Sequence, residues 1–242
     1  MSGVSPGYLE VAPPAALRES VRQIWRYQSA AEPAPPVQVL PDGCVDLIWN
    51  GSEVFVAGPD RVAQEAALLP GSRLIGLRLA PGAALALLRA PLHELCNQRV
   101  PLRLLWGAGA DALESDLLRD PACAGLRLAH AVAARSPTRD PAMAHLFERL
   151  ASGQAPRLGT LVRELGMSER VLRRRSQAHF GYGAKTLDRI LRLQRLLREA
   201  PHARTLTDAA MAAGYADAAH LVHDARDLTG LAPRELVRRH VR

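Results

Sequence analysis

Two stretches of the chain repeat one plan: LGTLVRELGMSERVLRRRSQAHFG (158–181) and LTDAAMAAGYADAAHLVHDARDLTG (206–230). In each, a short run with helical spacing leads to a glycine, Gly166 or Gly214, and then to a helix-capping residue, Ser168 or Asp217. Glycine suits a sharp turn between helices. A Ser or Asp side chain accepts a hydrogen bond from the free amides of a first helical turn. The pattern predicts two helix-turn-helix units in tandem.

The segment between the units has the spacing of an amphipathic helix, AKTLDRILRLQRLLREA (184–200). At 1.5 Å per residue this helix is about 25 Å long. Successive major grooves on one face of DNA are about 34 Å apart, so the helix can hold the two units about one turn apart. Helical spacing continues in 142–152 and 233–241. The part beyond residue 141 therefore predicts an all-α domain of seven helices.

The motif residues of 141–242 resemble the DNA-binding domain of AraC/XylS transcriptional regulators. The first unit carries the family pattern at Leu161, Leu165, Gly166, Ser168, Leu172, Arg174 and Gly181. The second unit carries it at Ala210, Gly214, Tyr215, Asp217, His220, Leu221, Gly230 and Pro233. The chain departs from the usual family residues at Ser176, Ala184, Ala219 and Ala225. These departures weaken anchors of the core but leave the helix-turn-helix frame.

The resemblance implies that the outward face of each second helix contacts double-stranded DNA. In the first unit the implied DNA-binding residues are Ser168, Glu169, Arg170, Arg173, Arg174, Arg175 and Gln177. In the second unit they are Asp217, Ala218, Ala219, His220 and His223. Arginine can pair with the O6 and N7 atoms of guanine, so the first unit is predicted to carry most of the sequence choice, while Arg175 and Gln177 suit phosphates. The second unit offers few hydrogen-bonding groups and is predicted to position the protein. For its two histidines, packing or capping is an equal alternative.

Net charge is unevenly distributed along the chain. The total is +7, but residues 141–242 hold 18 Lys and Arg against 10 Asp and Glu, a net of +8. The first 140 residues hold 13 against 14, a net of −1. A polyanion would therefore meet the helical part, because neutralising its phosphates releases counterions. A solvated basic face is the alternative.

The first part of the chain predicts a mostly antiparallel β domain with trailing helices. Short segments rich in Val, Ile and Leu are separated by the turn formers PDG, NGS, GPD and PGS, which is typical of an antiparallel sheet or small barrel. Residues 110–120 and 124–134 have helical spacing. The polar RSPTRDP (135–141) predicts a linker. The predicted fold class is α+β, with a sensor or dimerisation domain at 1–134 and an all-α domain at 142–242.

Four segments of the first domain resemble an uncharacterised sensor-type domain that precedes AraC-like DNA-binding domains in some bacterial regulators. They are LPDGCVDLIWN (40–50), VAGPD (56–60), IGLRLAPGAA (75–84) and VPLRLLWG (100–107). The resemblance implies no ligand. RNA polymerase is a candidate protein partner, and the chain is expected to act as a monomer or a homodimer.

An acid in an apolar strand gives the first domain its candidate ligand site. Asp46 lies among apolar residues and requires a partner, for which Arg78 in another apolar strand is suited. Together with Asp42, Trp25 and Trp49 these residues form the candidate site for a small-molecule effector. A structural ion pair and tryptophans packed in the core are the alternatives. A domain that only dimerises is also consistent with the sequence.

Other classes of protein lack support in the sequence. There is no G-x-S-x-G, H-E-x-x-H, P-loop or G-x-G-x-x-G motif, so no enzyme is predicted. The cysteines Cys44, Cys96 and Cys123 are far apart, which predicts neither a disulfide framework nor a zinc site, and no metal or cofactor is expected. An Ada-like repair protein, which holds zinc with clustered cysteines, is a remote alternative. The chain has no apolar run of about 18 residues, and its start, MSGVSPGYLEV, does not resemble a secretory signal. A cytoplasmic location away from membranes is expected.

Overall fold

The computed structural model describes residues 7–153 and 158–241. The N-terminal segment MSGVSPGYLEV, which is not expected to be a secretory signal, lies outside these ranges in its first six residues. Within the described ranges the chain forms an antiparallel β domain with trailing helices, followed by a helical domain. The predicted α+β fold class is confirmed. No helix of the described ranges is long and apolar enough to cross a membrane.

The described strands form a large sheet and a small ribbon. The strands are β1 (Gly7–Val11), β2 (Val21–Gln28), β3 (Val37–Val39), β4 (Asp46–Trp49), β5 (Val54–Ala57), β6 (Gln64–Ala66), β7 (Arg73–Leu79) and β8 (Arg99–Pro101). Six of them form a sheet in the order β1-β2-β7-β4-β5-β8, and β3 pairs with β6 as a separate ribbon. Every pairing is antiparallel. The sheet is thus built partly from strands distant in sequence, because β7 lies between β2 and β4.

Side-chain alternation gives the large sheet two different faces. Successive residues of a strand point to opposite faces. In β4, Leu47 and Trp49 are buried in the core, whereas Asp46 and Ile48 line a cavity on the other face. In β5, Val54 and Val56 likewise lie in the core. One face of the sheet therefore packs on helices of the N-terminal domain, and the other is open to a cavity beneath the β3–β6 ribbon.

The α-helices of the described ranges divide between the two domains. The N-terminal domain contains α1 (Ala84–Leu88), α2 (Arg103–Trp106), α3 (Ala108–Arg119) and α4 (Ala124–Ala134). The C-terminal domain contains α5 (Pro141–Ala151), α6 (Leu158–Glu164), α7 (Glu169–Phe180), α8 (Ala184–Glu199), α9 (Leu206–Ala213), α10 (Ala218–Thr229) and α11 (Pro233–His240). The segment between α4 and α5 has no regular structure. It ends at Asp140, whose side chain caps α5 by accepting a hydrogen bond from Met143 N.

The two helix-turn-helix units are fixed at their ends by local chemistry. Ser168 caps α7 and Asp217 caps α10, each accepting a hydrogen bond from the backbone amide three residues on. Both helices end at a glycine in the left-handed region, Gly181 with φ +80° and Gly230 with φ +74°. Glycine adopts this conformation with little conformational strain, whereas residues with a Cβ are strained in it. The helix boundaries therefore follow from residues that the sequence pattern already singles out.

The N-terminal domain contacts both helix-turn-helix units. The turn 40–44 packs against α5 and α8, where Gly43 leaves no room for a side chain: a Cβ would lie 2.9 Å from Leu187 Cδ1. At the end of α7, a Cβ on Gly181 would lie 2.8 Å from Pro59 Cγ. At the end of α10, Ala63 N donates to Leu228 O at 2.7 Å. The C-terminal ends of α7 and α10 are thus both held by the N-terminal domain.

Candidate DNA-binding helices and a ligand cavity

Helix α7 presents one buried face and one basic face. Leu172, Ser176 and Phe180 are buried at helical spacing, and Leu172 and Phe180 belong to the core of the domain. Ser168, Glu169, Arg170, Arg173 and Arg174 are exposed. The structure therefore brings these five sequence-predicted DNA contacts onto one accessible surface. A helix held on one side by its core and carrying arginines on the other is suited to a major groove.

Arg175 differs from its neighbours because its guanidinium is already occupied. Its Nη2 donates to Asp140 Oδ2 at 2.5 Å, and His179 Nε2 lies 3.2 Å from the same oxygen. Burial raises the pKa of Asp140, but hydrogen bonds from Arg175 and from Met143 N outweigh it, so the pKa falls below its usual range. Gln177 is half-buried. In this arrangement Arg175 ties α7 to the segment before α5.

The second helix, α10, presents small side chains and one well-exposed histidine. Ala218, Ala219 and His223 are exposed, beside the cap Asp217. His220 is turned inward: its Nε2 lies 2.8 Å from Arg192 Nη1. Its ring also meets the Tyr215 ring edge-on at 5.2 Å. The His220 side chain is 34% exposed, whereas that of His223 is 69% exposed and lies 3.2 Å from Asp227 Oδ2.

A buried arginine on α8 joins the helices around it. Arg195 is 4% exposed. Its Nε donates to Ala213 O at the end of α9, and its Nη1 donates to Leu150 O near the end of α5. Helix C-terminal carbonyls lack partners within their own helix, so Arg195 satisfies two of them. The sequence pattern does not indicate this role. By its spacing, Arg195 occupies an ordinary polar position of an amphipathic helix.

A basic groove lies beside α7. It has a volume of about 650 Å³, and among the residues lining it are Arg170, Arg173, Lys185 and Arg61. Arg61 comes from the loop between β5 and β6 and is exposed. The sequence pattern does not indicate a role for this arginine, because nothing in residues 58–63 predicts its position next to α7. The N-terminal domain thus adds a cation to the surface that α7 presents.

The open face of the β sheet lines a cavity of about 800 Å³ in the N-terminal domain. The ribbon β3–β6 covers it, with Val37, Val39, Gln64, Glu65 and Ala66 in its wall. The turn 40–44 contributes Leu40, Asp42 and Cys44. A cavity of this size accommodates a drug-sized small molecule.

Three charged residues form an ion cluster on the cavity wall. Arg78 pairs with Asp46 across β7 and β4. Its Nη2 lies 3.0 Å from Asp42 Oδ2, and its Nε lies 3.3 Å from Asp46 Oδ1. Burial raises the pKa of Asp46, although the charge of Arg78 opposes that shift. Burial also raises the pKa of the neighbouring Cys44 thiol. The structure thus assembles three of the sequence-predicted ligand residues, with one arginine shared by two carboxylates.

The tryptophans of the candidate ligand site separate onto the two faces of the sheet. Trp25 lines the cavity, lies over Gly76 and meets the Tyr8 ring at 5.7 Å. A Cβ on Gly76 would lie 2.2 Å from Trp25 Cε2, so only glycine leaves room for this ring. Trp49 lies on the opposite face in the hydrophobic core. Trp25 therefore lines the cavity, whereas Trp49 packs in the core.

Several cavity residues are not indicated by the sequence pattern. Asp60 is buried and pairs with Arg99 through two hydrogen bonds of 3.0 and 2.8 Å. Tyr27 and Phe55 also line the cavity. The alternation of residues within a strand predicts which side chains share a face of the sheet. Which of the two faces lines the cavity depends on the position of the β3–β6 ribbon. Within the described ranges, no three His, Cys, Asp or Glu side chains converge as metal ligands.

Two parts of the chain match models of known protein families. Residues 161–239 match the model of a family described as a helix-turn-helix domain. Residues 9–101 match a domain of unknown function, DUF6597. No curated protein matches the sequence.

Among solved structures, the chain is similar to apo ToxT from Vibrio cholerae strain SCE256, with 13% identity, a TM-score of 0.47, and coverage of 90% of this chain and 97% of that one. It is also similar to ToxT from Vibrio cholerae O395, with 12% identity, a TM-score of 0.48, and coverage of 89% and 96%. At these TM-scores the likeness establishes neither fold nor function.

Proposed function

We propose that this chain, whose C-terminal part is a helix-turn-helix domain of the AraC type behind a domain of unknown function, is a sequence-specific regulator controlled by a small molecule. That the chain is a DNA-binding transcription regulator follows from the helix-turn-helix domain. Sequence selectivity and effector control are the parts proposed here. We assign residues 1–134 to a sensing or dimerisation domain, 135–141 to the linker and 142–242 to DNA binding. Helix α4 ends at Ala134, and α5 begins at Pro141, the last residue of this linker.

The exposed row Arg170, Arg173 and Arg174 on α7 carries the proposal of sequence selectivity. These side chains stand at the N-terminal half of a helix whose other face is fixed in the core. Each is positioned to pair with a guanine in the major groove, and a good bidentate pair contributes about 1–3 kcal/mol of discrimination. Helix α10 offers Ala218, Ala219 and His223, which suit methyl and backbone contacts. The first unit therefore selects the sequence and the second sets the register.

Two contacts of the cavity wall support effector control. The ribbon that covers the cavity is hydrogen-bonded to the end of α10: Gln38 Nε2 donates to Thr229 O at 3.0 Å. The turn 40–44 lines the cavity on one side and packs on α5 and α8 on the other, where Gln194 Nε2 donates to Pro41 O at 2.8 Å. A ligand that moves the ribbon or the turn must also move the second helix-turn-helix unit or α8. Effector binding would therefore shift the population between arrangements of the two units that differ in DNA affinity.

A second role of the N-terminal domain is favoured by exposed leucines. Leu118 on α3 and Leu126 on α4 are 55% and 53% exposed, and these two helices pack on each other. Two-fold pairing of such a face would give a homodimer. Light scattering at several concentrations decides between monomer and dimer, and a Leu126→Glu variant that remains a dimer would contradict this surface. A regulator acting on genomic DNA in this way is expected in the cytoplasm, without catalysis.

The test of sequence selectivity uses single alanine variants of α7. Arg173→Ala and Arg174→Ala should each weaken binding to a selected duplex by about 1–3 kcal/mol and relax the choice of one base pair. Arg198→Ala is the matched control, because Arg198 is an exposed arginine of the same domain on the last turn of α8. An equal loss of affinity for selected and scrambled duplexes would mean that the arginines contact phosphates, which contradicts the proposal.

A further inference from the structure

Five of the seven charged residues that line the cavity gather along one row of the sheet. The register pairs Arg78 with Asp46, Asp46 with Ala57, and Ala57 with Arg99. The turn residue Asp42 joins this row through Arg78, and Asp60 joins it through Arg99. These five residues lie at the end of the cavity nearest the turn that packs on the C-terminal domain.

Carboxylates outnumber cations in this cavity. Its acidic lining residues are Asp42, Asp46, Glu53, Asp60 and Glu65, and its basic ones are Arg78 and Arg99. Both arginines are already engaged: Arg78 is shared by two carboxylates, and Arg99 donates twice to Asp60. An anionic ligand would have to displace a carboxylate from its arginine. A cationic ligand would meet carboxylate oxygens that still have lone pairs.

The adjoining row of the sheet is aromatic and apolar. Trp25 pairs with Gly76, Gly76 with Ile48, and Ile48 with Phe55. Tyr8 lies against Trp25. Aromatic faces attract cations through their quadrupole, and Trp does so most strongly. Trp25 is 7% exposed, and its side chain hydrogen-bonds to Asp46, so the aromatic row adjoins the charged one.

We propose that the N-terminal cavity binds an organic cation, an amine or ammonium head joined to an aromatic or alicyclic body. The head would lie between Asp42, Asp46 and Asp60, and the body over Trp25 and Phe55. This inference rests on the effector role proposed above and names the class of effector. Because Asp42 belongs to the turn packed on α5 and α8, the cationic head acts at the end of the cavity that touches the DNA-binding domain.

The test compares three probes of one shape on the full-length protein without DNA: phenylbutylamine, phenylbutanol and phenylbutyrate. Isothermal titration calorimetry should give an affinity for the amine about tenfold or more above that for the alcohol, with the carboxylate weakest, since a charge-assisted hydrogen bond contributes that much. Equal affinity for all three, preference for the carboxylate, or no binding of any probe would overturn the proposal.

Two charge-neutral variants localise the preference. Asp42→Asn keeps an oxygen that can accept from Cys44 N, as Asp42 Oδ1 does at 2.9 Å, and should abolish most of the advantage of the amine. Its far-ultraviolet circular dichroism spectrum and urea unfolding midpoint should match those of the wild type, which shows that the variant is folded. Asp111→Asn on the exposed side of α3 is the matched control and should bind as the wild type does. An unchanged amine preference in Asp42→Asn would contradict the assignment. Because no DNA is present, failure here is distinct from failure of the sequence selectivity tested with the α7 variants.

Discussion

Replacing Asp140 tests whether the segment before α5 holds the first helix-turn-helix unit in place. Its carboxylate caps α5 through Met143 N at 3.1 Å and pairs with Arg175 at 2.5 Å. Asn caps helices as well as Asp does, whereas Ala loses the cap at a cost of about 1 kcal/mol. A hydrogen bond to a charged group contributes about 1.5–3 kcal/mol when buried and less when partly exposed. Since the Arg175 side chain is 35% exposed, we take about 1–2 kcal/mol for the pair.

The two variants at this position separate the cap from the ion pair. Asp140→Asn should lower the free energy of unfolding by about 1–2 kcal/mol, and Asp140→Ala by about 2–3 kcal/mol. Urea unfolding followed by far-ultraviolet circular dichroism measures both, with Asp111→Asn as the control. The same stability for Asp140→Asn and wild type would refute the ion pair, and the same loss in both variants would refute the cap.

The ion pair also gives a pH dependence and a DNA-binding consequence. Because the pKa of Asp140 is lowered in the folded state, its charge stabilises the fold above the ordinary carboxyl pKa, and this is lost as pH falls through the folded value. The stability difference between wild type and Asp140→Asn should therefore shrink below about pH 4. At neutral pH, Asp140→Asn releases Arg175, so the slope of log affinity against log salt should steepen by about 0.9 for one added phosphate contact. An unchanged slope would show that Arg175 stays away from DNA.

Three further substitutions follow from close packing and buried hydrogen bonds. Gly43 has φ +78°, and a Cβ there would lie 2.9 Å from Leu187. Gly43→Ala should therefore lower the free energy of unfolding, measured with urea, by about 2 kcal/mol or more. Wild-type stability of this variant would contradict the packing of the turn. Arg195→Leu leaves two helix-end carbonyls unpaired and should cost about 2–4 kcal/mol, measured by urea unfolding against Arg198→Leu, and equal values for the two would refute its role. Gly76→Ala should displace Trp25 and shift the tryptophan emission spectrum. An unchanged spectrum would contradict the packing of the Trp25 ring against Gly76.

Local signals account for what the sequence predicted well. Ser168 and Asp217 predict where the second helix of each unit begins, because capping depends on residues within one turn. Gly181 and Gly230 predict where these helices end for the same reason. The structure places all four at these positions. The short strands between turn formers were predicted for a related reason, since turn chemistry is local.

Contacts between distant parts of the chain account for what the sequence did not predict. Trp25 and Trp49 both lie in strands, but their opposite faces follow from the position of the β3–β6 ribbon relative to the large sheet. The pairing of Arg175 with Asp140 joins residues 35 positions apart, and no spacing rule covers it. The same holds for Arg61 beside α7, which depends on how the two domains pack. Local patterns predict elements, whereas the assignment of faces and partners requires the assembled fold.

Selection of bound sequences from random duplex DNA with the full-length protein, at moderate and stated salt, tests the central claim most directly. Helix α8 joins the two helix-turn-helix units, whose second helices are α7 and α10. This arrangement predicts an enriched motif of two blocks about 10–10.5 base pairs apart from centre to centre. The block facing α7 should be the more stringent, because Arg170, Arg173 and Arg174 stand on that helix. Binding that is sensitive to salt but enriches no motif, with or without an organic cation present, would contradict the account of this chain as a sequence-specific regulator.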